Sequence, residues 1–406
     1  MRRMGVIAAR VKAEGKSFFD TVGRSSELAY LALLTMYVIS HLILKVEWSA
    51  GVSAGIGSFR QALLFLVRWG AVAYLFYTIA EWKALWGKWL ALIPIGVALA
   101  AAAFWFGRVM STNSFGVVFD VFFCLMAAGK DYKRILRCIL WPTLVMLAVA
   151  LIGIFVGFTL DMQKPENISP GHSLGINYPN TWGYIAFLAM LILWYLRLRN
   201  KPLLTFLFFW GVTVFMYFYI SCRTIAVLAV VFPVFAFIVD WIERRADQSS
   251  TRVGWFGWIV TALPFLAFAF MMYVSMQYKW VHKYLYPTAL LTFAMRFVQG
   301  GLYFKTYGLP VFGNPYRSDQ YTFVMVNGTF EKVGILDSSF AAYIIMRGMF
   351  WLAYTLSWLS FAIWRALRRR DYAIPFLTAI ILVFAMMERP GLEMWYCFIL
   401  LYPLAK

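Results

Sequence analysis

Four arginines stand where an anion could be held. They are Arg223 in SCRT, Arg296 in FAMRFVQGG, Arg347, and Arg389 directly after Glu388. Each lies within or at the end of an apolar stretch, where a guanidinium needs an anionic partner. That partner is either a bound ligand or a carboxylate of the chain, such as Asp337 or Glu388; the remaining option is a side chain that snorkels to the interface. Proton transfer has its own candidates. His172 and His282 lie in polar segments, and histidine can take a proton from a hydroxyl near neutral pH. Asp337 and Glu388 could serve as the base, and Asp337 could equally orient an arginine.

Other polar residues suggest packing rather than chemistry. His41 lies within the first apolar run and reads as a hydrogen-bonded packing residue. Asp120 and Arg68 are expected to form a structural pair inside their spans. Cys124, Cys138, Cys222 and Cys397 are scattered, with no CxxC or Cys/His spacing, so no metal site is expected. The triplets beginning at Asn167 and Asn327 match a glycosylation sequon, a signal of little weight.

The elements that must position these residues are membrane spans. The chain is 63% hydrophobic and 14% charged, with a mean hydropathy of +0.72. Soluble domains are nearer half apolar and a quarter charged. About twelve apolar runs approach the length a bilayer helix needs. They lie near 27–46, 61–80, 89–107, 114–129, 138–158, 180–197, 203–221, 224–241, 255–275, 339–363, 374–388 and 393–405. Their pattern is not the alternation of a membrane barrel.

Lys and Arg cluster at every second gap: from Arg2 to Arg24 before the first span, at Lys83 and Lys88, Lys130 to Arg137, Arg197 to Lys201, Arg244 to Arg252, and Arg365 to Arg370. That alternation predicts cytoplasmic termini. Residues 1–26 read as a cytoplasmic lead-in and 27–406 as one transmembrane domain, with outside loops at 159–179 and 276–338. The second loop carries a helix-like apolar face and Gly/Pro turns, as expected of an ordered wall or lid. The formal net charge of +19 is topology signal, so no nucleic-acid partner is expected.

In order, GHSLGINYPNTWGY, SCRT, RFVQGGLYFKTYGLPVFGN, GILDSSFAAYIIMRG and MER resemble the Wzy-type polysaccharide polymerases, which share a superfamily with the O-antigen ligases. The resemblance covers about residues 114–400. It departs from the family's usual pattern at Tyr178, where a histidine is common, at His172, where arginine is common, and at Cys222. It implies an all-α, GT-C-like membrane glycosyltransferase acting outside the bacterial cytoplasmic membrane. Its substrates would be undecaprenyl-diphosphate-linked oligosaccharides, with no cofactor or metal; a flippase and a chain-length regulator would be its partners.

In that reaction the leaving diphosphate develops charge, which arginine forks can stabilise. Arg223 and Arg296, with Arg347 and Arg389, fit that role; His172, Asp337 and Glu388 are candidates to activate the acceptor hydroxyl. Two other readings are a ligase that transfers the finished glycan and a flippase or secondary transporter. The latter would favour an internal repeat, which is not evident here.

Overall fold

The computed structural model describes residues 26–79, 112–161, 171–245, 254–285, 291–311, 313, 322–326, 329–333 and 338–406. The chain is an all-α polytopic membrane protein. Among the described residues six helices are long and apolar enough to cross a bilayer. These are α1 (Ser26–Lys45), α2 (Ala50–Ile79, apolar to Tyr74), α4 (Tyr132–Val156), α5 (Pro179–Leu193, continuing as a π-turn to Leu198), α6 (Pro202–Phe215, continuing to Ile220) and α7 (Arg223–Arg245). A seventh is the pair α8 (Trp255–Thr261) and α9 (Leu263–Met276), bent by 54°. The bend falls just before Pro264, which has no N–H to continue a helix but suits a new first turn. Between α2 and α4 lies the shorter α3 (Thr112–Met126).

Local chemistry sets several boundaries. Asp131 caps α4 by accepting from the Lys133 N–H at 2.9 Å, and Gly157 ends it with φ +81°. α5 and α6 each begin with proline in the first turn. α5 is the most enclosed of the candidate spans, with 72% of its apolar window buried. Gly183 lets it approach Cys222, whose sulfur would lie 2.4 Å from an added Cβ. The tight turn between α6 and α7 places Ser221 in the left-handed region at φ +63°.

The segment 276–338 has internal structure. It contains α10 (Tyr278–Tyr284), α11 (Leu291–Tyr307) and an antiparallel hairpin, β1 (Thr322–Val326) with β2 (Thr329–Val333). α11 packs on α9 through Gly301, where any Cβ would collide with the Ser275 carbonyl. Residue 337, and with it the Asp337 side chain, lies outside the described residues, as do 1–25, the run 89–107 and residues 162–170 of the loop 159–179.

Two expected spans take another form. The run 339–363 is broken into α12 (Ser339–Arg347) and α13 (Met349–Arg369). Gly348 makes the break at φ +96°, ψ +163°, a conformation open essentially to glycine alone. The orphan N–H groups of Met349 and Phe350 donate to the carbonyls of Pro310 and Val311 at 2.9 and 3.0 Å. The run 393–405 is not a long helix. After α14 (Ala373–Met387) the chain returns through short 3-10 turns at Arg389–Leu392 and Phe398–Leu401.

That return runs the length of the bundle. At one end Ser339 Oγ donates to the carbonyls of Glu388 and Arg389 at 2.6 and 2.7 Å. At the other, Lys406 N–H donates to Lys130 C=O at 2.7 Å, beside the start of α1, where Lys130 Nζ reaches Ser26 Oγ at 2.8 Å. Irregular backbone survives among membrane helices only when protein surrounds it and satisfies its polar groups. Here α13 does so: Trp358 donates to Leu400 C=O at 2.7 Å, Arg369 to Ala405 C=O at 3.1 Å, and Arg365 to Pro403 C=O.

Candidate functional site

The break after Arg347 and the irregular return meet at one charged cluster. Arg347 ends α12, and its Nη1 lies 3.4 Å from Asp120 Oδ2 on α3. Tyr37 OH of α1 donates to the other Asp120 oxygen at 2.5 Å. The guanidinium also sits 4.5 Å from the Tyr343 ring centre. Asp120 therefore pairs with Arg347 and Tyr37, and the expected Asp120–Arg68 pair is replaced. Arg68 lies over the Phe119 ring at 5.8 Å instead. Three elements distant in sequence converge here because the Asp120 carboxylate can satisfy two donors at once.

Glu393 is the carboxylate that sequence reasoning missed. It lies on the irregular return, accepts from Trp395 Nε1 at 2.6 Å, and is flanked by the positive charges of Arg347, Lys45 and Arg389. It had been absorbed into an apolar run. The signal was available, since it is the only acid between Glu388 and Lys406, and a lone charge in such a run marks function by default.

Four of the predicted residues come together here. Arg389 opens the first turn of the return and points Nη2 at Met346 Sδ, 3.5 Å away. With Arg347, Glu393, Ser339 and Tyr343 it lines a small cavity of about 40 Å³. Arg296 of α11 donates Nε to Met387 C=O at 3.1 Å, which ties the helix of the large segment to the end of α14. Glu388 is the next residue and is buried. Arg296, Arg347, Glu388 and Arg389 thus surround the junction of α11, α12 and α14.

His172 belongs to a second cluster. Its Nδ1 lies 2.6 Å from Asp161 Oδ2, and its ring stacks on Tyr219 at 4.6 Å and 16°. Asp161 Oδ1 accepts from the Leu174 N–H at 2.9 Å, which holds the carboxylate against the loop. The His172 N–H donates to Tyr219 C=O at 3.1 Å. An ionised carboxylate only accepts, so a hydrogen on Nδ1 points at Asp161. Asp161 was not singled out from the sequence; nothing in TLDMQ marks it until the loop closes on it.

The loop holding His172 is itself joined to the end of α1. Asn177 N–H donates to Lys45 C=O at 2.7 Å, and Glu47 N–H to Gly175 C=O at 2.9 Å. Arg223 begins α7 with an exposed side chain beside the same turn, since Cys222 precedes it and Tyr219 lies one turn back. His282 falls in α10. His41 packs its ring 4.3 Å from Tyr37, with Nδ1 3.0 Å from the Tyr37 carbonyl oxygen.

Among the described residues no group of three or more His, Cys, Asp or Glu side chains could hold a metal ion. The first cluster can bind an anion through arginines beside a helix break, and the second holds an imidazole against a carboxylate, as a general base requires. No family model matches the chain, and no curated protein or solved structure is similar to it.

Proposed function

We propose that the protein is a membrane glycosyltransferase of the Wzy type, with about twelve spans in a GT-C-like arrangement. In this reading it polymerises undecaprenyl-diphosphate-linked oligosaccharides at the outer face of the bacterial cytoplasmic membrane. The observation that carries the reading is the gathering of Arg296, Arg347 and Arg389 at the junction of α11, α12 and α14. A diphosphate leaving group needs such forks, which stay charged and bind its oxygens in two-point geometry. Arg223 joins them as a fourth contact. His172, held by Asp161, takes the proton of the attacking sugar hydroxyl; Glu388 and Asp337 orient the arginines.

The balance of the step is simple. The acceptor oxygen forms a bond to the anomeric carbon as that carbon's bond to the diphosphate oxygen breaks, and the hydroxyl proton goes to the base. The helix break and the buried charges also suit a lipid-linked oligosaccharide transporter. Gene deletion followed by gel analysis of cell polysaccharide separates the two. Accumulated single repeat units support the polymerase, and loss of all surface glycan supports the transporter.

A further inference from the structure

Two cavities adjoin along the seam between α1 and α2. One, of about 250 Å³, is lined by Lys45 and His41 of α1, Arg60 and Arg68 of α2, and the inner wall of Arg347 and Glu393. The other, of about 550 Å³, is apolar, lined by Ala29, Ala32, Leu33, Met36, Gly70 and Ala73. They follow one another along the same two helices. Tyr37 of the first is next to Met36 of the second, and Arg68 is two residues before Gly70.

The charges of the first cavity are unbalanced. Among the described residues Lys45, Arg60 and Arg68 make no ion pair. Arg60 donates Nε to Ser40 C=O at 3.2 Å, and Arg68 lies over Phe119. Asp120 is engaged by Arg347 and Tyr37, and Glu393 is shared among Arg347, Lys45 and Arg389. Three cations facing one cavity between apolar helices repel one another, and an entering anion relieves that repulsion. Arginine forks favour phosphate oxygens.

The apolar groove decides the source of the phosphate. A free phosphate would use the first cavity alone, whereas a lipid would use both. The neighbouring Phe65, Leu66 and Trp69 of α2 are exposed, as expected of a face turned to hydrocarbon. We propose that the α1–α2 seam binds an anionic lipid. Its phosphate lies among Lys45, Arg60 and Arg68, and its chain lies in the groove beside Gly70 and Ala73. The site requires no transferase activity and stands or falls apart from the polymerase reading.

The test is native mass spectrometry of the full chain, purified in detergent, with phosphatidic acid, phosphatidylcholine or inorganic phosphate added. Phosphatidic acid should remain bound at collision energies that strip phosphatidylcholine. Arg60→Gln combined with Arg68→Gln should lower its occupancy about tenfold, as expected when charge-assisted bonds to phosphate are lost. Arg60→Lys with Arg68→Lys, which keeps both charges, should bind better than the glutamine pair. Ala73→Trp, which fills the groove, should also lower occupancy, and size-exclusion profiles should match wild type throughout. Equal retention of the two lipids, or equal loss in the lysine and glutamine pairs, overturns the proposal. Displacement of phosphatidic acid by inorganic phosphate, with Ala73→Trp silent, makes it a free-phosphate site and also overturns it.

Discussion

Arg347 and Glu393 stand together in the wall shared by two cavities, the small one under Arg389 and the larger one under Arg60 and Arg68. Arg347 arrives on a helix that ends at Gly348, and Glu393 on a strand of chain with no regular structure. Neither position would exist if residues 339–363 and 393–405 were two straight helices.

Removing one partner of the Arg347–Asp120 pair should destabilise the protein strongly. Loss of one member of a buried pair costs about 3–5 kcal/mol, because the other charge is left uncompensated. Arg347→Ala should therefore lower the thermal midpoint sharply in detergent. Arg347→Met with Asp120→Leu should recover much of the loss. A double variant no more stable than Arg347→Ala would mean that the pair is not what holds α3 to α12.

Gly348 should resist substitution. Its backbone angles are closed to other residues at a cost on the order of 1–3 kcal/mol. Gly348→Ala should lower stability by about that amount and displace Arg347. A thermal melt indistinguishable from wild type would show that the break tolerates a side chain.

The Asp161–His172 contact predicts an activity effect with intact folding. Asp161→Asn removes the charge and, with its amide oxygen kept by the Leu174 N–H, turns a donor toward Nδ1; it should reduce chain transfer by about 10²-fold, within the range of general-base contributions. His172→Gln should fall as far, and the two changes together no further. Full additivity of the two losses in a purified polymerisation assay would separate Asp161 from His172.

The arginines are expected to differ from polar residues elsewhere in the segment 276–338. Arg223→Lys and Arg296→Ala should each shorten or abolish polysaccharide ladders at matched expression, since a point charge cannot replace a two-point fork. Changes at Asp319 or Gln320 should be mild. Normal ladders from both Arg223→Ala and Arg296→Ala would remove the arginines from the reaction.

Topology has a separate test. A cysteine introduced at Asp319 should react with an impermeant reagent on intact cells, and one at Gln248 should not. The reverse result would turn the whole arrangement over.

Much of this was legible in the sequence because length and hydropathy carry the information. The spans at 27–46, 138–158, 180–197, 203–221 and 224–241 correspond to α1 and α4–α7. The irregular return was not legible, since Phe398, Ile399, Leu400 and Leu401 are as apolar as any helix. What decides their conformation is the supply of donors from Trp358, Arg365 and Arg369, which no local pattern reports. Arg347 was recognised as an intramembrane charge, but its partner was not. Asp120 was expected to pair with Arg68, and Arg347 takes that place because α3 and α12 lie side by side. Glu388 and Arg389, adjacent in sequence, share their backbone anchor at Ser339, while the Arg389 side chain turns toward Met346.

The irregular return also constrains how the protein is made. A stretch whose carbonyls are satisfied by α13 side chains has no stable way to enter lipid by itself, because each unmet polar group there costs several kcal/mol. Residues 388–406 can therefore take this shape only with α13 and the turn at Lys130 in place to meet their polar groups.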